Sequence, residues 1–327
     1  MIARTLWSVA AALSLTGCIL YSPIDLGSLA GPGELVETVL EGTSGPKIVL
    51  VEVSGVISDA EERGTLGLTP RPSIVAETKS VLDRAADDKD VAALLLRINS
   101  PGGSVSASDT LYHEIKAWKD ANKKPVFAFL NGISTSGAYY LAMAADRVIA
   151  HPAAVTGSIG VIMPGLSIEG LMDKYGVADQ TLTSGPFKDT GSLFRDMRPE
   201  ERAQMKSVID DLYKRFTKVV GEGRPGLDEA KIRSLADGRV YSADQALAAG
   251  LVDQLGYLDD SVSALEQRAG VSESRIVSFH RANSVRENVY SLGPDLSVPA
   301  LELALRSLRP SALAPGFYYL WPLALTP

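Results

Sequence analysis

Pro125-Val126-Phe127-Ala128-Phe129-Leu130-Asn131-Gly132-Ile133-Ser134-Thr135-Ser136-Gly137-Ala138-Tyr139-Tyr140-Leu141 is the stretch whose reading decides the fold. Its first half, Val126 to Leu130, is a short bulky apolar run opened by a proline, which predicts a buried strand. Asn131-Gly132 predicts a turn. From Gly137 onward, Ala, Tyr, Leu and Met predict a helix. Ser136 therefore stands at a helix entrance, where backbone amides lack intrahelical acceptors and the helix dipole favours negative charge. Two roles suit such a serine. It can be a nucleophile whose oxyanion forms beside free amides, or Ser136 or Ser134 can simply cap the helix.

The flanking sequence repeats the pattern. Lys47 to Val53 predicts a strand, and Ser73 to Asp88 an amphipathic helix with Ile74, Val75, Thr78, Val81, Leu82 and Ala85 on one face. Val91 to Ile98 is almost wholly apolar, as expected of a strand buried on both faces of a parallel sheet. It stops at Asn99-Ser100-Pro101-Gly102-Gly103-Ser104, and a helix is predicted from Ser104 to Asn122. A Gly-Gly turn between strand and helix allows close backbone approach and can present amides to an anion.

Further strands are predicted at 146–150 and 177–183, and a small-residue turn at 155–161. Helices are predicted at 168–175, 199–220, 227–236, 242–249 and 258–269, with a last strand at 275–279. Strands alternating with helices predict an α/β architecture with right-handed crossovers.

Composition narrows the function. Hydrophobic residues make up 46% and charged residues 22% of the 327-residue chain, which places it among globular proteins. The net charge of −7 and the lack of a dense basic patch argue against nucleic acid as a partner. Three dispersed histidines, His113, His151 and His280, and a single cysteine, Cys18, give no metal-ligand spacing.

The N-terminus, with Arg4 ahead of a short apolar run, predicts an export signal too short to span a membrane. Leu15-Thr16-Gly17-Cys18 resembles a bacterial lipobox, which implies cleavage before Cys18, lipidation of its thiol and a lipid-anchored place in the cell envelope. The domain reading is a signal peptide at 1–17, a flexible tether at 18–46, a catalytic domain at 47–270, and a final strand with an apolar, proline-punctuated tail at 271–327. Within that tail a short helix is expected at 298–308. Phe317-Tyr318-Tyr319-Leu320-Trp321 is expected to strap a neighbouring subunit, rest at a membrane interface or pack back on its own domain.

A hydrolytic serine needs a base. None of the three histidines lies in a triad-like setting. Lysine is the other candidate, although a free lysine has a pKa of about 10.4 and becomes a base only when desolvated. Lys188, in Ser184-Gly185-Pro186-Phe187-Lys188-Asp189, is that candidate, with an ordinary surface lysine as the competing reading.

Taken in order, the Asn99–Ser104, Ser134–Tyr140, Thr156–Ile162 and Ser184–Asp189 stretches resemble the signal peptide peptidase A family. So do Ala236-Asp237-Gly238-Arg239-Val240-Tyr241 and Gly250-Leu251-Val252-Asp253 that follow them. The resemblance covers about 47–270. It implies a Clp-protease/crotonase-like α/β fold with repeated β-β-α units and a serine endopeptidase with a Ser/Lys dyad and no cofactor. It also implies homo-oligomers at a membrane acting on signal-peptide-like or other extended apolar peptides. Ser136 matches the family nucleophile, Lys188 the general base and Ser158 the hydroxyl that orients the lysine. Gly102 and Gly103, with Gly137, match the oxyanion site.

Two residues depart from the family pattern. Ala138 stands where glycine is usual, and Pro186 where lysine is frequent. Two other functions share the fold: an acyl-CoA enzyme using paired amides to hold an enolate, and a non-catalytic envelope scaffold. The export signal disfavours the first, since acyl-CoA is cytoplasmic. Retention of Ser136, Ser158 and Lys188 disfavours the second.

Overall fold

A computed structural model of the chain describes residues 34–63, 70–282, 284, 286–291 and 316–322. The signal peptide, Cys18 and the helix expected at 298–308 lie outside the described residues.

In chain order, β1 (Leu35–Glu41) and β2 (Lys47–Ser54) precede a small hairpin of β3 (Glu62–Arg63) and β4 (Pro70–Arg71). Then come α1 (Ile74–Asp87), β5 (Val91–Ser100), β6 (Gly102–Ser104), α2 (Val105–Asn122), β7 (Val126–Thr135) and α3 (Gly137–Ala142). Next are β8 (Arg147–Ala150), β9 (Val155–Gly157), α4 (Glu169–Tyr175), α5 (Pro199–Gly223) and α6 (Glu229–Leu235). The chain continues with β10 (Val240–Ser242), α7 (Ala243–Ala248), β11 (Gln254–Leu255), α8 (Leu258–Ala269), β12 (Arg275–Arg281) and β13 (Tyr318–Leu320).

The main sheet runs β1-β12-β2-β5-β7-β8-β11, parallel from β12 to β11, with β1 antiparallel on the edge. Strand alternation sends side chains to two separate cores. Val126, Ala128 and Leu130 of β7, with Leu94, Leu96 and Ile98 of β5, pack under α1, α2, α3 and α5. Phe127, Phe129, Ala93 and Leu95 pack with Leu258 and Leu265 of α8 on the other face. That double burial is why both strands read as unbroken apolar runs. Hydroxyl caps start the flanking helices: Ser73 Oγ accepts from the Ala76 amide at 3.1 Å, and Ser104 Oγ from the Ala107 amide at 3.2 Å.

Four expectations are corrected. Asn131-Gly132 does not end β7. It bulges the strand, with Gly132 at φ 76° and the Asn99 side-chain oxygen accepting from the Ile133 amide at 3.1 Å. Past the bulge, Ile133–Thr135 leaves β8 and pairs in parallel with β9, so the small-residue turn expected at 155–161 begins as a strand. The strand expected at 177–183 is an exposed segment, because its β-prone residues meet no partner strand among the described residues. The tether expected at 18–46 is cut short: Leu35–Glu41 pairs with β12 along the sheet edge.

The two-faced core makes a direct prediction. Leu96 is fully buried between β5 and the helices above it. Leu96→Ala should cost about 2–5 kcal/mol in chemical unfolding. A loss under about 1 kcal/mol would contradict the packing described.

Candidate active site

Ser136 joins β7 to α3 in a strained backbone. Its φ is 56° and ψ −116°. Among the described residues only three non-glycine positions have positive φ: Lys123, which ends α2, and the two serines Ser136 and Ser158. Such conformations cost about 1–3 kcal/mol each and persist where surrounding structure enforces them. Here the enforcement is visible. The Ser136 amide donates to the Gly157 carbonyl at 2.7 Å, and the Ser158 amide to the Arg239 carbonyl at 2.8 Å. Ser136 is thus tied to the residue preceding Ser158.

The capping role does not hold. Ser136 makes no side-chain cap bond, and Ser134 Oγ instead donates to the Ile98 carbonyl at 2.7 Å. Ser136 Oγ is buried, with no hydrogen-bond partner among the described residues. A buried, unpaired hydroxyl is costly unless a reacting group completes it. None of the histidines reaches it. His113 is exposed, His151 accepts from the Ala153 amide at 3.1 Å, and His280 pairs with Thr38 at 2.9 Å.

The glycines close round Ser136. Gly102 has φ 96°, and a Cβ there would lie 2.0 Å from the Tyr319 carbonyl oxygen and 2.8 Å from the Gly137 nitrogen. A Cβ on Gly137 would lie 3.2 Å from the Gly103 nitrogen. No side chain fits at either position, so the Gly102-Gly103 backbone rests directly on the first residue of α3. The Gly137 amide, in the first turn of that helix, has no intrahelical acceptor. Two amide-bearing glycines therefore converge beside Ser136, the arrangement an oxyanion requires.

Tyr139 and Tyr140 anchor α3. Tyr139 donates to the Leu251 carbonyl at 2.7 Å, and burial pushes its phenol up to about 12. Tyr140 donates to Asp109, and burial again raises its pKa, so both rings remain neutral donors. Ala138, the departure two residues after Ser136, is fully buried without disturbing this packing.

Lys188 is not brought to Ser136. It lies exposed in a turn at 185–190, where its amide donates to the Gly185 carbonyl at 3.1 Å. The turn itself is clamped. Arg195 pairs with Asp189 at 2.8 Å and with buried Glu201 at 2.6 Å. Arg198 pairs with Glu201 and donates to the Pro186 carbonyl. Sequence reading missed this clamp; of the three places expected for the 317–321 run, the structure shows the run packed back on its own domain, where β13 lies against Gly102–Ser104. The only signal for that packing was the aromatic run itself.

A mostly parallel α/β sheet with a strained serine at a strand-to-helix junction over a glycine turn is the arrangement of a serine-type peptidase on a Clp-protease-like scaffold. Comparison with known proteins agrees. The profile of peptidase family S49 matches residues 119–272, and that of Clp protease residues 73–156. An Enterococcus faecium protein named as a candidate signal peptide peptidase SppA is 34% identical over 252 residues, which span 76% of this chain and 72% of that protein. Protease 4 of Salmonella typhi is 30% identical over 270 residues, 83% of this chain and 41% of its own. The chloroplastic serine protease SPPA of Arabidopsis thaliana is 30% identical over 267 residues, 80% of this chain and 38% of its own. The chain belongs to peptidase family S49 and is a serine-type peptidase.

The Lys188 clamp has a pH signature. Hydrogen bonding to Arg195 holds the Glu201 carboxyl down to about 2, below the ordinary glutamate value of about 4.3. A depressed folded pKa contributes stability that is complete above the unfolded value and fades as pH falls through the folded one. Glu201→Gln should therefore melt below wild type at about pH 6 and converge with it towards about pH 2. Parallel melting curves would contradict the assignment.

Proposed function

We propose that this peptidase is an exported, lipid-anchored endopeptidase that uses Ser136 and Lys188 to cleave extended apolar peptides, signal peptides among them. The observation that carries the reading is the buried, unpaired Ser136 Oγ at positive φ beside the Gly102-Gly103 turn. In the reaction, Ser136 Oγ bonds to the peptide carbonyl carbon as Lys188 takes its proton. The oxyanion settles on the glycine amides. Collapse breaks the C–N bond, and the lysine delivers the proton to the leaving amine. Water, deprotonated by the same lysine, then hydrolyses the ester and frees Ser136. Ser158 orients the lysine.

A lysine serves as a general base only when it is desolvated. The active form therefore requires Lys188 to be desolvated against a Ser136 hydroxyl. Support for oligomerisation as the means comes from the surface around Lys188. Leu166, Leu171, Tyr175, Leu182, Phe187 and Phe194 are all exposed on this one stretch, with Leu182 97% accessible. Concentrated apolar exposure of this kind marks a contact surface, and its proposed occupant is a second copy of the chain. No helix among the described residues is long and apolar enough to cross a membrane. Membrane attachment rests on the lipobox-like Leu15-Thr16-Gly17-Cys18 and on the likeness to a relative named as a signal peptide peptidase.

Hydrolysis of an apolar fluorogenic peptide by the purified chain checks the dyad. Ser136→Ala should lower kcat about 10³-fold or more. Lys188→Arg, which keeps charge but cannot deprotonate, should lower it about 10²- to 10⁴-fold. An active arginine variant would exclude Lys188 as the base.

A further inference from the structure

Helix α3 carries Ser136 at its head yet has little stability of its own. It spans only Gly137–Ala142, opens on a glycine and lacks a side-chain cap. Isolated helices shorter than about 12–15 residues are marginal in water, so contacts with neighbouring elements set its orientation. Tyr139 and Tyr140 supply them in two directions. Tyr139 reaches the Leu251 carbonyl at 2.7 Å, and Tyr140 reaches the Asp109 carboxylate on α2.

Asp109 lies in the second turn of α2, the helix that starts directly after the Gly102–Ser104 strand. Its neighbour Ser108 also meets α3. A Cβ on Gly137 would lie 2.3 Å from Ser108 Oγ, which donates to the Ser104 carbonyl at 2.8 Å. So α2 touches α3 at two points, Ser108 at its first residue and Asp109 at its fourth. The first contact is a stop, since closer approach is blocked. The second is a tie that holds α3 against that stop.

The carboxylate is itself aimed. Arg215 of α5 donates Nε to one oxygen at 2.9 Å and Nη2 to the other at 2.8 Å. Paired donation of this kind fixes the plane of a carboxylate, and a hydrogen bond to an ionised acceptor is roughly twice as strong as a neutral one. Phe216, next along α5, meets the buried Tyr140 ring at 5.1 Å, and Tyr112 of α2 meets it edge-on at 5.4 Å.

Resting on the peptidase reading above, we infer that Asp109 is a positioning residue for Ser136. By holding the Tyr140 hydroxyl it sets the spacing between the glycine turn at the head of α2 and the serine at the head of α3, and so between the nucleophile and the amides that receive the oxyanion. Loosening the tie lets α3 drift from its stop. Ser136 drifts with it, because its carbonyl accepts from the Tyr140 amide at 2.8 Å.

Tyr140→Phe removes one oxygen, keeps the ring and leaves Asp109 paired with Arg215. At a temperature where the chain stays folded, kcat for an apolar fluorogenic peptide should fall about 10- to 100-fold, the cost of a displacement near 1 Å, with KM unchanged. Asp109→Ala should do the same, and the double variant should lose no more than the worse single, because both act through one bond. Tyr112→Phe, which breaks the 3.1 Å bond to Glu222 between α2 and α5, should keep the wild-type kcat. Unchanged kcat in Tyr140→Phe, losses that multiply in the double variant, or an equal loss in Tyr112→Phe would overturn the inference.

Hydrogen exchange on the full-length chain tests it without hydrolysis. In Tyr140→Phe the amides at positions 140, 143 and 144, which donate to the carbonyls of 136, 140 and 141, should exchange faster while β5 stays protected. Unchanged exchange there would overturn the inference. A Ser136→Ala chain that hydrolyses peptide as fast as wild type would instead count against the peptidase reading, and the exchange result alone would then decide whether Asp109 holds α3.

Discussion

The hydrogen bond from the Ser136 amide to the Gly157 carbonyl is the constraint on which the site depends. A serine at φ 56° costs about 1–3 kcal/mol, and one backbone bond returns only about 1 kcal/mol net. The bond therefore cannot hold the turn alone. It works because both ends are fixed elsewhere. Gly157 belongs to β9, paired on one side with β7 and on the other with β10. Ser136 is followed by α3, whose Tyr139 and Tyr140 are buried and hydrogen-bonded. Ser158, the next residue after Gly157, is strained by the same geometry.

Packing extends that constraint to the Gly102-Gly103 turn. β5 and β7 are adjacent and buried on both faces, so the loops at their ends are held in register. The bulge at Asn131-Gly132 lets β7 leave β8 for β9 and delivers Ser136 over the Gly102-Gly103 turn. Absent side chains at Gly102 and Gly137 then allow a backbone approach that any Cβ would block. Lys188 belongs to a different region. Its turn is rigidified by Asp189, Arg195, Arg198 and Glu201, yet stands away from Ser136 in an apolar, exposed segment. The strained serine is built by the fold of one chain, and the base proposed for it stands elsewhere on the surface.

The sequence was legible where local pattern and burial coincide. Val91 to Ile98 could only be a doubly buried strand, and Ser136 followed from an apolar run giving way to small residues and then a helix. Helices expected to start at Ser73, Ser104 and Ser242 do so, each with that serine as its side-chain cap. Misreadings arose where distant partners decide. Asn131-Gly132 has the chemistry of a turn and becomes a bulge because β9 continues the ladder. Residues 177–183 have strand propensity and no partner strand among the described residues. Leu35–Glu41 was hidden by its Gly- and Pro-rich flanks and is ordered by β12. Nothing local states that Tyr319 docks on Gly103, or that Lys188 stands apart from Ser136.

Active-site labelling tests the central claim most directly. A peptidyl fluorophosphonate, which reacts only with an activated serine hydroxyl, would be incubated with the purified wild-type chain and the adduct located by peptide mass spectrometry. A single adduct on Ser136, absent from Lys188→Ala, is the expected result. An adduct on another serine, or none on a chain that still hydrolyses peptides, would contradict the assignment of Ser136 as the nucleophile.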